Sequence, residues 1–338
     1  MSVALITGAT GQVGSHIAER LLADGWTVRA LVRSPERARQ VLDERVQLSR
    51  GDVLDEASFC AAADGCHTVF HAAANIIVSG GWEAYRATNV EGTRNAILAA
   101  QRAGARLLHV SSVAVYGNTA RYEAARGGGR TDESTVLPPL SPRAYYARSK
   151  RESEEMVLRA HVEGRVWATA VRPDVIYGRR DRQFVPRVAR LLRLGVFPLM
   201  RDGRSTMTVV HAANVAEGAV LAATSDIAGG KAYNLANDYD VTVRQFFEFA
   251  GRGLGRPPVF VPVPMWVARG GVRGLKAITR LLTGGRFSLL STSSVDFLSE
   301  DNPFSSDLAK RELGWRPSVR PEEGVVDAFR WFRSHAAG

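Results

Sequence analysis

The sequence predicts an α/β protein, with a Rossmann-type, doubly wound parallel sheet and a smaller, mixed C-terminal lobe. Three observations support this. A short apolar run at 3–7 leads through closely spaced glycines into a helical pattern, and apolar runs and helical patterns then alternate through the first half. After about residue 175 the alternation loosens, and Gly and Pro accumulate around 251–264. We therefore expect a Rossmann domain over 1–175 that carries any catalytic segments. A substrate-binding lobe over 176–338 should be interleaved in part with the sheet.

Each strand is read from a short apolar run, and each helix from apolar residues that recur at helical spacing. The predicted strands are 3–7, 27–32, 46–48, 68–72, 106–111 and 167–172. The predicted helices lie near 13–24, 35–42, 56–63, 82–102, 145–163 and 183–194. Strands that alternate with helices in this way form a parallel sheet with right-handed crossovers.

Composition narrows the class of protein. The 338 residues are 45% hydrophobic and 23% charged, as is usual for a globular enzyme. Cys60 and Cys66 are the two cysteines, which predicts neither a disulfide framework nor a metal site. The chain enters a strand almost at once and has no apolar run long enough to span a membrane, so we expect no signal peptide and a cytoplasmic location.

The net charge of +10 raises the question of nucleic-acid binding. The basic residues are mostly arginines spread along the chain, and no tract interleaves them with aromatic residues. We therefore expect no nucleic-acid partner. The positive charge would instead help to attract an anionic cofactor.

The first strand and helix are joined by Gly8, Gly11 and Gly14. Glycines in a strand–turn–helix context predict a dinucleotide site, because they allow a sharp turn and a close approach of the backbone to a pyrophosphate at the helix N-terminus. A tight turn that binds nothing is the alternative. The loop also includes Thr10, Gln12 and Val13 as candidate cofactor contacts. Its spacing, in TGATGQVG, resembles the first turn of the extended short-chain dehydrogenase/reductases.

The end of the second predicted strand bears on the choice of cofactor. NAD-preferring enzymes place an acidic residue there, whereas this chain has Val32 followed by Arg33. A guanidinium at this position would hold the 2′-phosphate of NADP through charge-assisted hydrogen bonds. The sequence thus favours NADP, with NAD and a merely exposed arginine as the alternative.

The resemblance implies further cofactor contacts. These positions are Asp52, Val53, His71, Ala72, Ala73, Ser111, Arg172, Pro173 and Val175. It also implies that Asn89, early in a helix, supports the active site.

Two segments carry candidate reacting groups. Ser112 follows the predicted strand 106–111, and Tyr146 and Lys150 lie four residues apart on one face of a predicted helix. A phenol can act as acid and base if a nearby ammonium lowers its pKa, and Ser112 would hold the substrate oxygen. The neighbouring Tyr145 does not lie four residues before Lys150, so Tyr146 is the candidate. The order and spacing of these groups resemble the extended short-chain dehydrogenases along nearly the whole chain.

Departures from that family's pattern indicate a branch. Val113 and Ala114 replace the Asp-Glu pair of the dehydratases, and Val175, Met207 and Thr208 replace polar groups of the sugar-nucleotide enzymes. The sequence therefore favours a ketone or secondary alcohol on an apolar substrate, as in the 3β-hydroxysteroid dehydrogenase and dihydroflavonol reductase branch. A sugar-nucleotide epimerase and a non-catalytic NADP-binding protein are the alternatives.

The remaining predictions concern the substrate and partners. The candidate pocket residues are Val113, Val175, Met207 and Trp266. The stretch 263–290 combines apolar and basic residues, which suits a lid over the pocket or a helix on a membrane surface. The family resemblance implies a homodimer formed by the helices at 82–102 and 145–163.

Overall fold

The computed structural model describes residues 2–76, 81–117, 129–236, 238–268, 270 and 292–335. The strands are β1 Val3–Thr7, β2 Thr27–Val32, β3 Gln47–Arg50, β4 Thr68–His71, β5 Arg106–Val110, β6 Ala168–Pro173, β7 Val175–Tyr177, β8 Val196–Leu199, β9 Val209–His211, β10 Ala232–Leu235 and β11 Val259–Pro262. The α-helices are α1 Gln12–Ala23, α2 Pro35–Arg39, α3 Glu56–Ala63, α4 Gly81–Tyr85, α5 Gly92–Ala103, α6 Tyr145–Val162, α7 Phe184–Leu192, α8 Ala212–Thr224, α9 Val243–Leu254, α10 Thr292–Ser299, α11 Asp307–Glu312 and α12 Pro321–His335.

The chain divides into two compact units. The first unit comprises 1–176, 210–238 and 304–319, and the second comprises the intervening stretches and the C-terminus. The first unit contains a seven-stranded parallel sheet in the order β10-β6-β5-β4-β1-β2-β3. This arrangement confirms the predicted doubly wound α/β fold. The strand order reverses between β1 and β4, which is where ligands bind in sheets of this type.

Both faces of this sheet are covered by helices. Ile17 of α1 and Val215 of α8 belong to the apolar core on one face, while Phe59, Ile97 and Val157 belong to the core on the other. Strands between two apolar layers must themselves be apolar on both sides, and every residue of β4 and β6 is buried. The continuous apolar runs in the sequence have this physical cause.

The second unit has a core of aromatic side chains. Helix α9 packs on α12, where the ring of Phe246 meets that of Phe329 edge to face with centroids 6.2 Å apart. Phe197 of β8 stacks on Phe247 of α9, with ring centroids 3.7 Å apart. Strands β8 and β11 pair in parallel as a separate two-stranded sheet. Many aromatics of the C-terminal half thus form the interior of this unit.

One predicted helix has an interruption that the sequence pattern did not show. The stretch predicted as a single helix at 82–102 consists of α4, a π-helical segment over Arg86–Glu91, and α5. A π turn inserts one extra residue into a helix and is frequent at functional sites. Asn89 lies within this segment.

The three glycines of the first turn hold the sheet and the first helix together. Gly8 has a φ of +67°, and a Cβ at this position would lie 2.7 Å from the amide nitrogen of Ala73. A Cβ on Gly14 would lie 2.3 Å from the carbonyl oxygen of Gly8. The nearest atom to a Cβ on Gly11 is the same oxygen, at 3.1 Å. Gly8 and Gly14 are therefore required by close packing, and the Gly11 position is more open.

We expect Gly14→Ala to lower the free energy of unfolding by about 2 kcal/mol or more, because the added methyl overlaps backbone that cannot move aside. Gly11→Ala should cost clearly less, since the atom nearest to its added methyl is farther away. Urea unfolding of both variants measures the difference. Equal losses for the two variants would contradict the assigned packing role of Gly14.

Candidate functional site

The N-terminus of α1 has the features of an anion site. Gly11 is its N-cap, and no side chain caps the helix, so the first amide groups face outward from the turn. The turn is closed by a hydrogen bond of 2.9 Å from the Gly11 amide to the Gly8 carbonyl. Thr10 and Gln12 are partly buried beside it, and Val13 packs against the apolar core. Free amides together with the positive end of the helix dipole suit a pyrophosphate.

Nine buried side-chain polar atoms have no hydrogen-bond partner in the described part of the chain, and Nε2 of His71 is among them. Two others, the Nε2 atom of Gln12 and the hydroxyl of Ser111, lie near the carboxyl ends of the strands and support a ligand at this edge. Ser111 follows β5 directly, and its amide donates to the carbonyl of Val171. Buried polar atoms in folded proteins nearly always have partners. These two atoms therefore fit a site that a polar cofactor completes.

The edge of β2 and β3 is basic. Arg33 follows β2 directly, is exposed, and has no hydrogen bond or ion pair within the described ranges. Arg50 ends β3 and lies opposite Val32 in the parallel register. Ser34 caps α2 by accepting from the amide of Arg37. Arg33 and Arg50 thus place two cations where the sequence predicts the ribose of the cofactor. Glu36, which is hydrogen-bonded to Ser34 and interacts with Arg50, is a neighbouring anion.

The turn after β3 is held by its own hydrogen bonds. The side chain of Asp52 accepts from the amide of Leu54 at 3.0 Å, and the carbonyl of Val53 accepts from Asn95 of α5 at 2.8 Å. Val53 also packs against Gly92, where a Cβ would lie 3.2 Å from its side chain. These contacts fix the turn beside the sheet edge.

His71 lies in a row of polar side chains across three strands. Thr7, His71 and His109 are register partners on β1, β4 and β5. The Thr7 hydroxyl lies 2.9 Å from Nδ1 of His71. The rings of His71 and His109 stack with their centroids 5.6 Å apart. Nε2 of His109 lies 3.2 Å from the hydroxyl of Ser153 on α6. Ala73, by contrast, bonds through its amide to the Thr7 hydroxyl, beneath the glycine turn.

Both histidines are held neutral. Burial lowers the pKa of His71 to about 3, and the nearby charge of Lys150 acts in the same direction. Burial, Lys150 and His71 together place the pKa of His109 well below its usual value. Neither of these two rings is therefore an imidazolium at neutral pH.

Asn89 connects two parts of the site. Its side-chain oxygen accepts from the amide of Asn75 at 2.6 Å, and its amide group donates to the hydroxyl of Ser149 at 2.9 Å. Ser149 precedes Lys150 on α6, and its hydroxyl donates to the carbonyl of Tyr146. Asn89 thus holds the chain after β4 against the helix that carries Tyr146 and Lys150.

The structure brings Ser112 and Tyr146 together. Ser112 caps the 3₁₀ helix Val113–Tyr116, and its hydroxyl accepts from the amide of Ala114. Its side chain also influences the phenol of Tyr146. Burial raises the pKa of Tyr146, and the nearby Ser112 hydroxyl opposes that rise. The phenol is therefore protonated at neutral pH.

Lys150 is buried one helical turn beyond Tyr146. Its ammonium donates to the carbonyl of Val110 at 2.7 Å. Burial lowers the pKa of Lys150 to about 8, and Glu154 acts in the opposite direction. The sequence analysis expected Lys150 to lower the pKa of Tyr146. The structure instead shows a raised pKa, because burial dominates and the ammonium is directed at a backbone carbonyl.

The side chain of Arg172 lies in the interior of the first unit. Its guanidinium bonds to both oxygens of Glu154 and, at 2.7 Å, to the hydroxyl of Tyr116. Tyr116 donates in turn to Asn234 at 2.9 Å. This buried ion pair accounts for the donors of Arg172, and the geometry does not direct this side chain at a cofactor. Pro173 ends β6 and is buried.

The four predicted pocket residues have different environments. Val113 is 3% exposed in a small apolar cluster with Tyr116 and Phe304, and Met207 is 1% exposed. Val175 is partly buried at the start of β7. Trp266 is 79% exposed. Most of the stretch 263–290 lies outside the described residues.

Two kinds of feature are absent from the described part of the chain. No group of three or more metal-ligating side chains occurs there. None of the helices in those ranges is long and apolar enough to cross a membrane.

Several side chains that contact the candidate site residues were not predicted from the sequence. His109, Ser149, Ser153, Glu154 and Tyr116 were not singled out as part of the site. Ser149, Ser153 and Glu154 carry a signal, since they lie within about two turns of Tyr146 on the same helix. His109 carries a weaker signal, namely a polar residue inside an apolar strand.

Comparison with known proteins identifies relatives along the whole chain. Residues 4–236 match the family model described as the NAD dependent epimerase/dehydratase family. A 4-hydroxy-2-methyl-3-oxo-4-farnesyl-3,4-dihydroquinoline-1-oxide ketoreductase of Stigmatella aurantiaca is 31% identical over 96% of this chain and 95% of its own. A decarboxylating sterol-4-alpha-carboxylate 3-dehydrogenase of Bos taurus is 29% identical over 97% of this chain and 91% of its own. The fold is similar to that of a Thermus thermophilus UDP-glucose 4-epimerase whose structure was solved with NAD. The TM-score is 0.71 at 24% identity, and the match covers 98% of this chain and 99% of the epimerase.

We expect His71 to make the protein less stable in acid. This imidazole binds a proton near pH 6.5 in the unfolded state but only near pH 3 in the folded state. As the pH is lowered from 6.5 to 3, this residue should therefore reduce the free energy of unfolding by about 1.4 kcal/mol per pH unit. His71→Asn should flatten this dependence by about one proton.

Urea unfolding at a series of pH values measures the slope. His335→Asn replaces an exposed histidine and serves as the control, which should keep the slope of the parent protein. An unchanged slope in His71→Asn would show that the folded protein protonates this imidazole.

Proposed function

The chain belongs to the NAD dependent epimerase/dehydratase family, and on that premise we propose that it is an NAD(P)-dependent oxidoreductase that interconverts a ketone and a secondary alcohol. Its resemblance to the extended short-chain dehydrogenases agrees with the family match. The observation that carries the proposal is the placement of Tyr146 and Lys150 one turn apart on α6, with the Ser112 hydroxyl near the phenol.

The residues proposed to hold the cofactor surround the switch point of the sheet. The α1 N-terminus, with Gly8, Gly11 and Gly14, would bind the pyrophosphate, and Arg33 would bind at the ribose. Asp52, Val53, Ala72, Ala73, Ser111, Pro173 and Val175 would line the cofactor through turns and strand ends. A bound nicotinamide would supply or accept the hydride.

Ser112 and Tyr146 would handle the substrate oxygen. Because the phenol is protonated at neutral pH, Tyr146 would donate its proton to the oxygen when a ketone is reduced. In the reverse direction the phenolate form would accept the proton of the alcohol. The Ser112 hydroxyl would donate a hydrogen bond to the same oxygen and fix its position. The Ser112 hydroxyl lies near the phenol, so one substrate oxygen would meet both groups.

Lys150 and Asn89 would act in support. The Lys150 ammonium, fixed by the Val110 carbonyl, would place a positive charge at the base of the site and contact the ribose. Asn89 would act as a positioning residue, because its side chain is engaged by Asn75 and Ser149.

We propose an apolar substrate. Val113, Val175 and Met207 occupy positions where sugar-nucleotide enzymes and dehydratases carry polar groups. The names of two relatives agree, since one is a ketoreductase of a farnesylated quinoline and the other a sterol dehydrogenase. We also propose NADP as the preferred cofactor, on the basis of Arg33. The homodimer formed by the helices at 82–102 and 145–163 stays a prediction from the family resemblance.

Tyr146→Phe should lower kcat at least 100-fold, because it removes the transferred proton while keeping the ring. The affinity for NADPH should stay within about threefold. Tyr145→Phe is the matched control, since the neighbouring phenol lacks the offset to Lys150, and it should keep its activity. Turnover is followed by nicotinamide absorbance with a panel of apolar ketones.

Retained turnover in Tyr146→Phe would contradict the assignment of the proton donor. If the parent protein binds NADPH but converts no ketone or alcohol in the panel, the proposal of a dehydrogenase gives way to that of a non-catalytic NADP-binding protein. Epimerisation of a sugar nucleotide without net change in the nicotinamide would favour the isomerase alternative.

Arg33→Ser should weaken NADPH binding about tenfold or more and leave NADH binding nearly unchanged, because charge-assisted hydrogen bonds to a phosphate contribute about 1.5–3 kcal/mol. Arg165→Ser, which removes an exposed arginine paired with Glu163, is the control. Titration of nicotinamide fluorescence gives the affinities of each protein for both cofactors. Tighter binding of NADH than NADPH by the parent protein would overturn the proposed preference.

A further inference from the structure

The outer face of the two-stranded sheet in the second unit is apolar. Val259 lies opposite Val196 in the parallel register, and Val261 lies opposite Pro198. Register partners and alternate residues of a strand point to the same side, so these four side chains share one face. All four are exposed, with exposed fractions of 50% for Val196, 61% for Val259 and 43% for Val261, whereas Phe197 and Leu199 of β8 are buried. We call these four residues the apolar face.

Further apolar side chains are exposed in the same two segments of the chain. Leu194, two residues before β8, is 74% exposed, and Trp266, four residues after β11, is 79% exposed. With Val267, the two segments contain six of the eleven large apolar side chains that are exposed in the described part of the molecule. Single exposed apolar residues are ordinary, but a contiguous set marks an interaction surface.

The two segments that form the apolar face carry basic residues and no acidic ones. The stretches 182–201 and 249–268 contain no aspartate or glutamate. Their arginines are all exposed, namely Arg182, Arg187, Arg190, Arg193, Arg201, Arg252 and Arg256. Acidic residues lie just outside these stretches, at Asp181, Asp202 and Glu248, and Arg252 lines a groove with carboxylates of α12. An apolar face whose own two segments carry only cations is complementary to a surface that is apolar inside and anionic at its boundary.

A second copy of this chain is a poor occupant of the face. A two-fold contact would bring the arginines of one copy near those of the other, and like charges at an interface are costly. A lipid bilayer has the required chemistry, because arginine pairs with anionic headgroups while valine and tryptophan enter the interface beneath them. An acidic protein would match the charge but leaves the exposed tryptophan without a specific pocket.

We propose that the apolar face seats the protein on an anionic lipid surface as a peripheral contact. Only the biological purpose of this contact rests on the proposed function, since an apolar ketone or alcohol collects in lipid. Attachment through this face would keep the enzyme where such a substrate is concentrated. The binding itself does not depend on turnover, so the two proposals fail separately.

The test is sedimentation of the full chain with sucrose-loaded vesicles. The parent protein should bind vesicles of equal parts phosphatidylglycerol and phosphatidylcholine at least tenfold better than vesicles of phosphatidylcholine alone, and added salt should weaken the binding. Val259→Asp should reduce the partition at least tenfold, because it removes an inserted side chain and adds a repelled charge. Arg190→Glu combined with Arg193→Glu should also reduce it at least tenfold.

Ile227→Asp is the matched control, because Ile227 is a similarly exposed apolar residue, at 52%, in the first unit. It should bind vesicles like the parent. NADPH affinity and the thermal midpoint establish that each variant is folded, and an unfolded Val259→Asp is replaced by Val259→Ser, for which a threefold loss is expected.

Absence of binding to anionic vesicles would overturn the proposal. So would equal binding by Val259→Asp and the parent protein. A dimer that Val259→Asp dissociates, without binding to vesicles, would assign the face to self-association instead, and capture of an acidic protein without lipid binding would assign it to that partner.

Discussion

The candidate site in the first unit is organised around one buried cation. Burying a charge is costly unless it is hydrogen-bonded and its surroundings adapt. The Lys150 ammonium is bound by the Val110 carbonyl, and burial nevertheless lowers its pKa to about 8. His71 and His109, which lie across the strand ends, are held neutral in part by this same charge. The result is a site with a cation at its base, and with the Tyr146 phenol as a protonated group nearby.

The anionic partner that such a cation usually needs is engaged elsewhere. Glu154 lies one turn beyond Lys150, but both of its oxygens accept from Arg172. Removing one member of a buried ion pair leaves the other uncompensated, so this pair fixes the helix α6 against β6. Asn89 fixes the other side of the helix through Ser149, and the π turn allows its side chain to reach both strand end and helix. Lys150 is thus positioned from two directions.

The sequence predicted the features that depend on local spacing. Strand runs, the glycine turn and the four-residue offset of Tyr146 and Lys150 are periodic signals, and the observed fold confirms the α/β prediction. What it missed depends on register between distant segments. His109 joins His71 only because β4 and β5 pair with those residues opposite each other. Likewise, the Arg172 guanidinium could be assigned to the interior only once β6 and α6 were placed together, and periodicity within 82–102 does not reveal an inserted π turn.

Arginine shows why net charge alone says little about function. Arg172 contributes to the +10 total, but its charge is cancelled by Glu154 inside the fold. Arg33 is exposed at a strand end, where neighbouring Arg50 adds to the local positive potential. The arginines around β8 and β11 are different again, because the stretches that carry them have no acidic residue. A uniform distribution of the same charge would attract any anion weakly. Segregation instead gives one edge suited to a phosphate and, in the second unit, two segments that combine exposed apolar residues with basic ones.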